Sequence, residues 1–308
     1  MRLKRSTMRS SEKPTKWIGG LAEWTDETTA YLSIAFTWKL PEARDRARWY
    51  KALGYRVVAG GPATFRPHGY LADDVDELGG SFPDAVRYHH PDATIASRGC
   101  PVGCWFCIVP AMEGREFTLI PDFPVRPILC DNNLSALSVD YQNHIISRYL
   151  AERVPLLDAN SGFEPRTFDQ GVFERWDKIL RGPWRFAYDD LPERDYVHRV
   201  MQMLKGVSPK RKRVYVLIGN EPFEECLGRI REVVEWGGEP HVQPLMKLNA
   251  LEKEHWVRYD WTAEKLKDVA RWANRRLWKY CDFADYRTQI RSARSIQNDK
   301  QEVMFAHD

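Results

Sequence analysis

No apolar run in this chain approaches the roughly 20 residues that a membrane-spanning helix requires. That excludes an integral helical membrane protein. The first sixteen residues, MRLKRSTMRSSEKPTK, are basic but lack the apolar core of a secretory signal. They read as a disordered tail, and a cytoplasmic location is expected. A charge excess is missing as well: 46 basic and 43 acidic residues leave a formal net charge of +3 in 308 residues, which names no partner. There is no internal repeat and no low-complexity tract. Cysteine is scarce, six in all, and none precedes Cys100. What the chain has in quantity is apolar and aromatic surface: 43% hydrophobic residues, with 12 Trp, 13 Tyr and 13 Phe. That suffices for one large domain, or a medium one plus a small one.

Half of the cysteines, Cys100, Cys104 and Cys107, fall within the stretch ASRGCPVGCWFCIVP. In a reducing cytosol such a cluster points to metal ligation or catalysis. An odd number cannot close as disulfides. A structural zinc site wants four ligands, usually as two pairs. No second pair follows here: Cys130, Cys226 and Cys281 are isolated and read as small buried hydrophobes. A ferredoxin-like carrier would close its four-iron cluster with four cysteines. Three leave one iron with an open position, where a substrate or cofactor can bind.

The apolar pattern places this loop in an α/β fold. AYLSIAF reads as a strand, PEARDRARWYKAL as a helix stopped at Gly54, and YRVVAGG as a second strand. From residue 92 onward, six strands are expected at 93–97, 126–133, 154–161, 184–190, 213–220 and 241–248. Helices are expected around 136–150, 169–180, 192–205 and 223–236. Polar or special residues follow each strand, and in parallel α/β folds that end carries the ligand site. AEKLKDVARWANRRLWKYC reads as one basic amphipathic helix running to Cys281.

The spacing Cys100-Pro-Val-Gly-Cys104-Trp-Phe106-Cys107 resembles the signature of the radical S-adenosylmethionine (radical SAM) superfamily. The wording SRGCPVGCWFCIVP is similar to that of its cobalamin-binding and methylthiotransferase-like subgroups. The resemblance implies a partial (β/α)6 barrel with the cluster loop after its first strand. It implies a 4Fe-4S cluster on the three cysteines and S-adenosylmethionine on the fourth iron. Reductive cleavage would then give a 5′-deoxyadenosyl radical that abstracts hydrogen from a substrate. It also implies a one-electron donor such as flavodoxin or ferredoxin.

Carried over position by position, the resemblance puts Phe106 against the adenine. DNNLS stands in place of the usual Gly-Gly-Glu, which makes Asn132 or Asn133 the candidate for the methionyl amino group. In LLDANSGFEPRTFD, Asp158 and Asn160 point to the ribose and methionyl end, and Arg166 to the carboxylate. Arg185 and Asp189 follow on the fourth strand, Gly219 on the fifth and Met246 on the sixth.

The expected organisation is a tail (1–16), a short Rossmann-like α/β segment (17–91), the barrel (92–250) and a helical extension (251–308). The N-terminal segment resembles a truncated cobalamin domain. It lacks the Asp-x-His-x-x-Gly cobalt-ligand motif, so cobalamin is not expected. With no cysteine before Cys100 and only Cys281 in the tail, a single cluster is expected. The substrate is unidentified: a small molecule, peptide or nucleotide. The alternatives are a base within RNA or DNA, for which KGVSPKRKR and the Trp272- and Trp278-bearing helix are the motifs, or a non-catalytic metal-binding protein. Nucleic acid is not the favoured partner.

Overall fold

The computed structural model describes residues 16–287, apart from 66, 68, 80, 81 and 83. The expected tail, except for Lys16, and the end of the expected extension from 288 lie outside the described residues. The chain divides into two compact units, Met1–Thr94 and Ile95–Asp308.

The first unit runs β1 (Leu21–Thr25), β2 (Thr29–Ile34), α1 (Leu40–Ala52), β3 (Arg56–Gly60), β4 (Glu77–Leu78), α2 (Val86–His89) and β5 (Ala93–Thr94). Helix α1 carries Pro41 in its first turn and buries Leu40, Ala43, Ala47 and Tyr50, so it joins β2 and β3 as parallel neighbours. The sheet order is β1-β2-β3-β4. Strand β1, which the sequence reading missed, pairs antiparallel with β2. Asp26 makes the turn between them: its carboxylate accepts from the Thr28 and Thr29 backbone N–H groups and the Tyr31 hydroxyl.

The second unit begins with β6 (Ser97–Arg98), α3 (Val109–Met112) and β7 (Thr118–Leu119). Alternation follows: β8 (Ile128–Leu129), α4 (Val139–Glu152), β9 (Asp158–Ala159), α5 (Gln170–Trp176), β10 (Trp184–Tyr188), α6 (Arg194–Met203), β11 (Lys212–Ile218), α7 (Phe223–Glu235), β12 (Glu239–Pro244) and α8 (Ala263–Asn274). Strands β8 and β9 are parallel, as are β10, β11 and β12 in that order. The bridge between Leu156 and Leu180, and the Phe163 N–H on the Arg185 carbonyl, join the two groups. The result is a mixed α/β unit built on parallel strands.

Local chemistry accounts for the helix starts. The side chains of Ser138, Asp169 and Thr262 each accept a hydrogen bond from the backbone N–H three residues on. Packing accounts for the rest. Helix α6 buries Val197, Val200 and Met201, and α7 buries Leu227, Ile230 and Val233. An aromatic cluster of Phe163, Phe168, Trp176, Trp184 and Phe186 fills the middle of the core. Within it, Arg229 is fully buried and donates to the carbonyls of Tyr188 and Leu217, tying the C-terminal ends of β10 and β11 together. Its charge is met by the Glu221 carboxylate at 2.8 Å.

Three features depart from the expected pattern. The single strand expected at 93–97 is split into β5 and β6, two residues each. Residues 126–133 and 154–161 contribute only two-residue strands, because extended backbone there serves loops rather than ladders. The basic helix stops at Asn274 and is broken by a left-handed Arg276, so it does not run unbroken to Cys281. Its Trp272 lies in the core, which removes one of the two rings that an exposed stacking surface would need. Among the described residues no helix is long and apolar enough to cross a membrane.

Candidate cofactor site at the cysteine loop

A short antiparallel pair closes the loop that carries the three cysteines: Ser97 stands opposite Leu119 and Arg98 opposite Thr118. The loop between is folded back hard on itself. Gly99 has φ +88°, and a Cβ there would sit 2.2 Å from the Glu116 carbonyl oxygen. Only glycine fits that position. The Glu113 carboxylate pins the same turn, accepting from the Gly99 N–H, Asn132 Nδ2 and Arg98.

Cys100, Cys104 and Cys107 are free thiols lining one cavity of about 330 Å³. Phe106, Asn132, Asn133, Asn160 and Asp189 line it too. Five of the expected residues stand outside that lining. Asp158 and Arg185 lie deeper along β9 and β10, where Arg185 Nη2 donates to Asp158 Oδ2 at 2.6 Å and Nη1 reaches the Tyr215 hydroxyl. Arg166 approaches the site from its edge. Gly219 has φ +90° and a Cβ there would meet the Leu266 side chain. Met246 bridges to His255 in a turn beyond β12.

The hydrogen bonds divide the candidates further. Asn132 spends its amide on the loop, donating to Glu113 and the Gly99 carbonyl. Asn133 directs its Nδ2 at the Cys100 sulfur, 3.7 Å away, and holds the Ala136 N–H with its oxygen. Arg166 is gripped by Glu164 at 2.7 Å and Glu193 at 3.1 Å, and reaches Cys104 Sγ at 4.0 Å. Two of the three sulfurs thus face a nitrogen donor.

Sequence reasoning missed several lining residues: Glu164, Glu193, Tyr215 and Gln243. Tyr215 was findable. On β11, Arg213, Tyr215 and Leu217 alternate with buried Val214 and Val216, so one face of the strand had to look inward. Glu193 gave no such signal, because it enters from the start of α6.

Burial raises the Cys104 thiol to about 11, against the pull of Arg166, and raises Cys107 as well. Both must lose a proton to ligate a metal. Burial, then the negative charge of Glu193, raises the Asp189 carboxyl to about 8. The other two carboxyl groups of the lining, Glu164 and Glu193, are the ones paired with Arg166.

Among the described residues no three His, Cys, Asp or Glu side chains are grouped closely enough to hold a single metal ion. One zinc would draw its thiolates to about 2.3 Å from a common centre. A four-iron cluster makes a different demand, since each thiolate binds its own iron at a separate corner. Cys100, Cys104 and Cys107, free and lining one cavity, have the chemistry for that demand.

In comparisons with known proteins, the chain is similar in structure to a radical S-adenosylmethionine methyltransferase, TsrM, from Kitasatospora setae, solved with cobalamin and a [4Fe-4S] cluster bound. The TM-score is 0.52 at 12% identity, over 70% of this chain and 64% of that one. The likeness is one of fold. This chain thus spans just under two thirds of that structure's length. No family model matches the chain, and no curated protein matches it.

Proposed function

We propose that the chain is a radical SAM enzyme, built on a partial barrel, that cleaves S-adenosylmethionine reductively to abstract hydrogen from its substrate. The observation that carries this reading is the convergence of Cys100, Cys104 and Cys107 on one cavity at the C-terminal ends of parallel strands. The fold likeness to a radical SAM methyltransferase supports it.

In this reading the three thiolates hold a 4Fe-4S cluster, whose chemistry when bound is one-electron reduction of the sulfonium centre. The chain's own residues position and shield. Asn133 and Arg166 aim N–H groups at two of the sulfurs. Phe106, Phe186 and Leu217 supply apolar wall that excludes water. Asn160, Tyr215 and Gln243 offer amide and hydroxyl groups to orient the polar part of the cofactor. Asp189 offers a carboxyl to the methionyl ammonium group; a cation bound there would favour its carboxylate form. The electron comes from an external donor of the flavodoxin or ferredoxin kind.

Anaerobic reconstitution tests the proposal. Iron and sulfide near four of each per chain, with 5′-deoxyadenosine formed on adding dithionite and S-adenosylmethionine, would support it. Zinc alone with no cleavage would sink it. The reading of a chain without cobalamin stands on the missing Asp-x-His-x-x-Gly motif, whereas the similar structure holds that cofactor. Stoichiometric uptake of hydroxocobalamin, read by visible absorption, would overturn that part and leave the rest standing.

A further inference from the structure

Outside the cavity, the cysteine loop takes part in a second arrangement. Trp105 sits between two lining residues, Cys104 and Phe106, yet is 52% exposed and stands edge-on to Phe106. The segment after β12 comes to meet it. Arg258 lies over three rings: Trp256 at 5.1 Å, Tyr259 at 5.2 Å and Trp105 at 6.0 Å from the centroid. All three rings are exposed.

This segment is fixed at both ends. Trp256 N–H bonds the Leu245 carbonyl, Lys247 pairs with Glu254, and buried Trp261 donates its indole N–H to the Glu221 carbonyl. Between those anchors Tyr259 is held at φ +52°, a left-handed conformation that a bulky side chain rarely adopts. Arg258 is half-buried among the rings, and among the described residues no carboxylate lies within ion-pair distance of it. Burial first, then the positive charges of Lys267 and Lys253, hold the neighbouring His255 below its ordinary value.

Exposed π faces stack planar rings, and a guanidinium without an acidic partner takes an anion. We infer that Trp105, Trp256, Tyr259 and Arg258 form a rim site for a planar aromatic anion, a ring bearing one carboxylate or phosphate, and that the substrate is of this class. As a substrate assignment this rests on the reading above. A cavity of about 330 Å³ is at the small end of ligand pockets, which run from about 300 to 1,000 Å³. Once a cofactor fills it, the bulk of the substrate has to rest on the rim.

Calorimetric titration of the full chain without a cluster tests the site, with 2-naphthoate and 1-naphthyl phosphate as probes. Both should bind, the tighter one identifying the anionic group, and cyclohexanecarboxylate should not. Arg258→Gln should weaken the anions about tenfold or more. Trp256→Ala and Trp105→Leu, both at exposed positions, should weaken them while leaving the melting temperature unchanged. Saturating S-adenosylhomocysteine should leave the binding in place. The inference is overturned if neither anion binds, if the variants bind as the parent does, or if S-adenosylhomocysteine displaces the probe. Because no cluster is needed, failure here is distinguishable from failure of S-adenosylmethionine cleavage.

Discussion

The guanidinium of Arg166 stands 4.0 Å from the Cys104 sulfur while Glu164 and Glu193 hold its other contacts. A fixed positive charge beside a thiolate stabilises the electron-rich state of whatever that thiolate binds. Arg166→Gln should therefore keep the cluster but lower its reduction potential by on the order of tens of millivolts. A redox titration followed by electron paramagnetic resonance reads this. An unchanged potential would mean that Arg166 serves only the two glutamates.

The cysteines should separate into two classes. Alanine at Cys100, Cys104 or Cys107 should abolish iron uptake and S-adenosylmethionine cleavage. Alanine at Cys226, which is fully buried among α7 residues, should cost about 1 kcal/mol of stability with iron content intact. Iron analysis and urea denaturation check both halves. Loss of iron from the Cys226 variant would refute the division.

Gly99→Ala tests the loop itself. The left-handed φ and the approach to the Glu116 carbonyl leave no room for a methyl group. The strained conformation costs about 1–3 kcal/mol, and cluster loading should drop while α-helical content, read by circular dichroism, stays close to that of the parent.

Asp189 should make the unloaded protein sensitive to pH. Its carboxyl is raised to about 8 from 3.8, first by burial and then by Glu193. With the folded value above the unfolded one, its contribution is fully present below about 4 and is lost as pH climbs toward 8. Asp189→Asn should thus melt higher than the parent at pH 8.5, with the gap closing at pH 4. An equal gap at both would overturn the assignment.

How much of this was legible beforehand varies by element. The helices and long strands were, since α1, α4, α6 and α7 bury residues at helical spacing and β10 and β11 alternate. Strand β1 was not, because a five-residue edge strand is specified by its partner more than by its own pattern. The α8 region was read about two turns too long, because the left-handed Arg276 leaves no signature in composition.

The sequence by itself determined which ligating groups the loop can offer. Three cysteines at fixed spacing, with no fourth near by, limit what can be bound whatever the rest of the chain does. Only the tertiary structure decided which other groups meet them. Asn132 and Asn133 are adjacent in the chain, yet one clamps the loop through Glu113 and the other faces the Cys100 sulfur. Arg166 and Cys104 are 62 positions apart and come within reach where Glu164 and, from the start of another helix, Glu193 hold the guanidinium. Spacing along a chain fixes which residue types can cooperate locally. Direction across a cavity depends on packing between elements, and no local pattern encodes it.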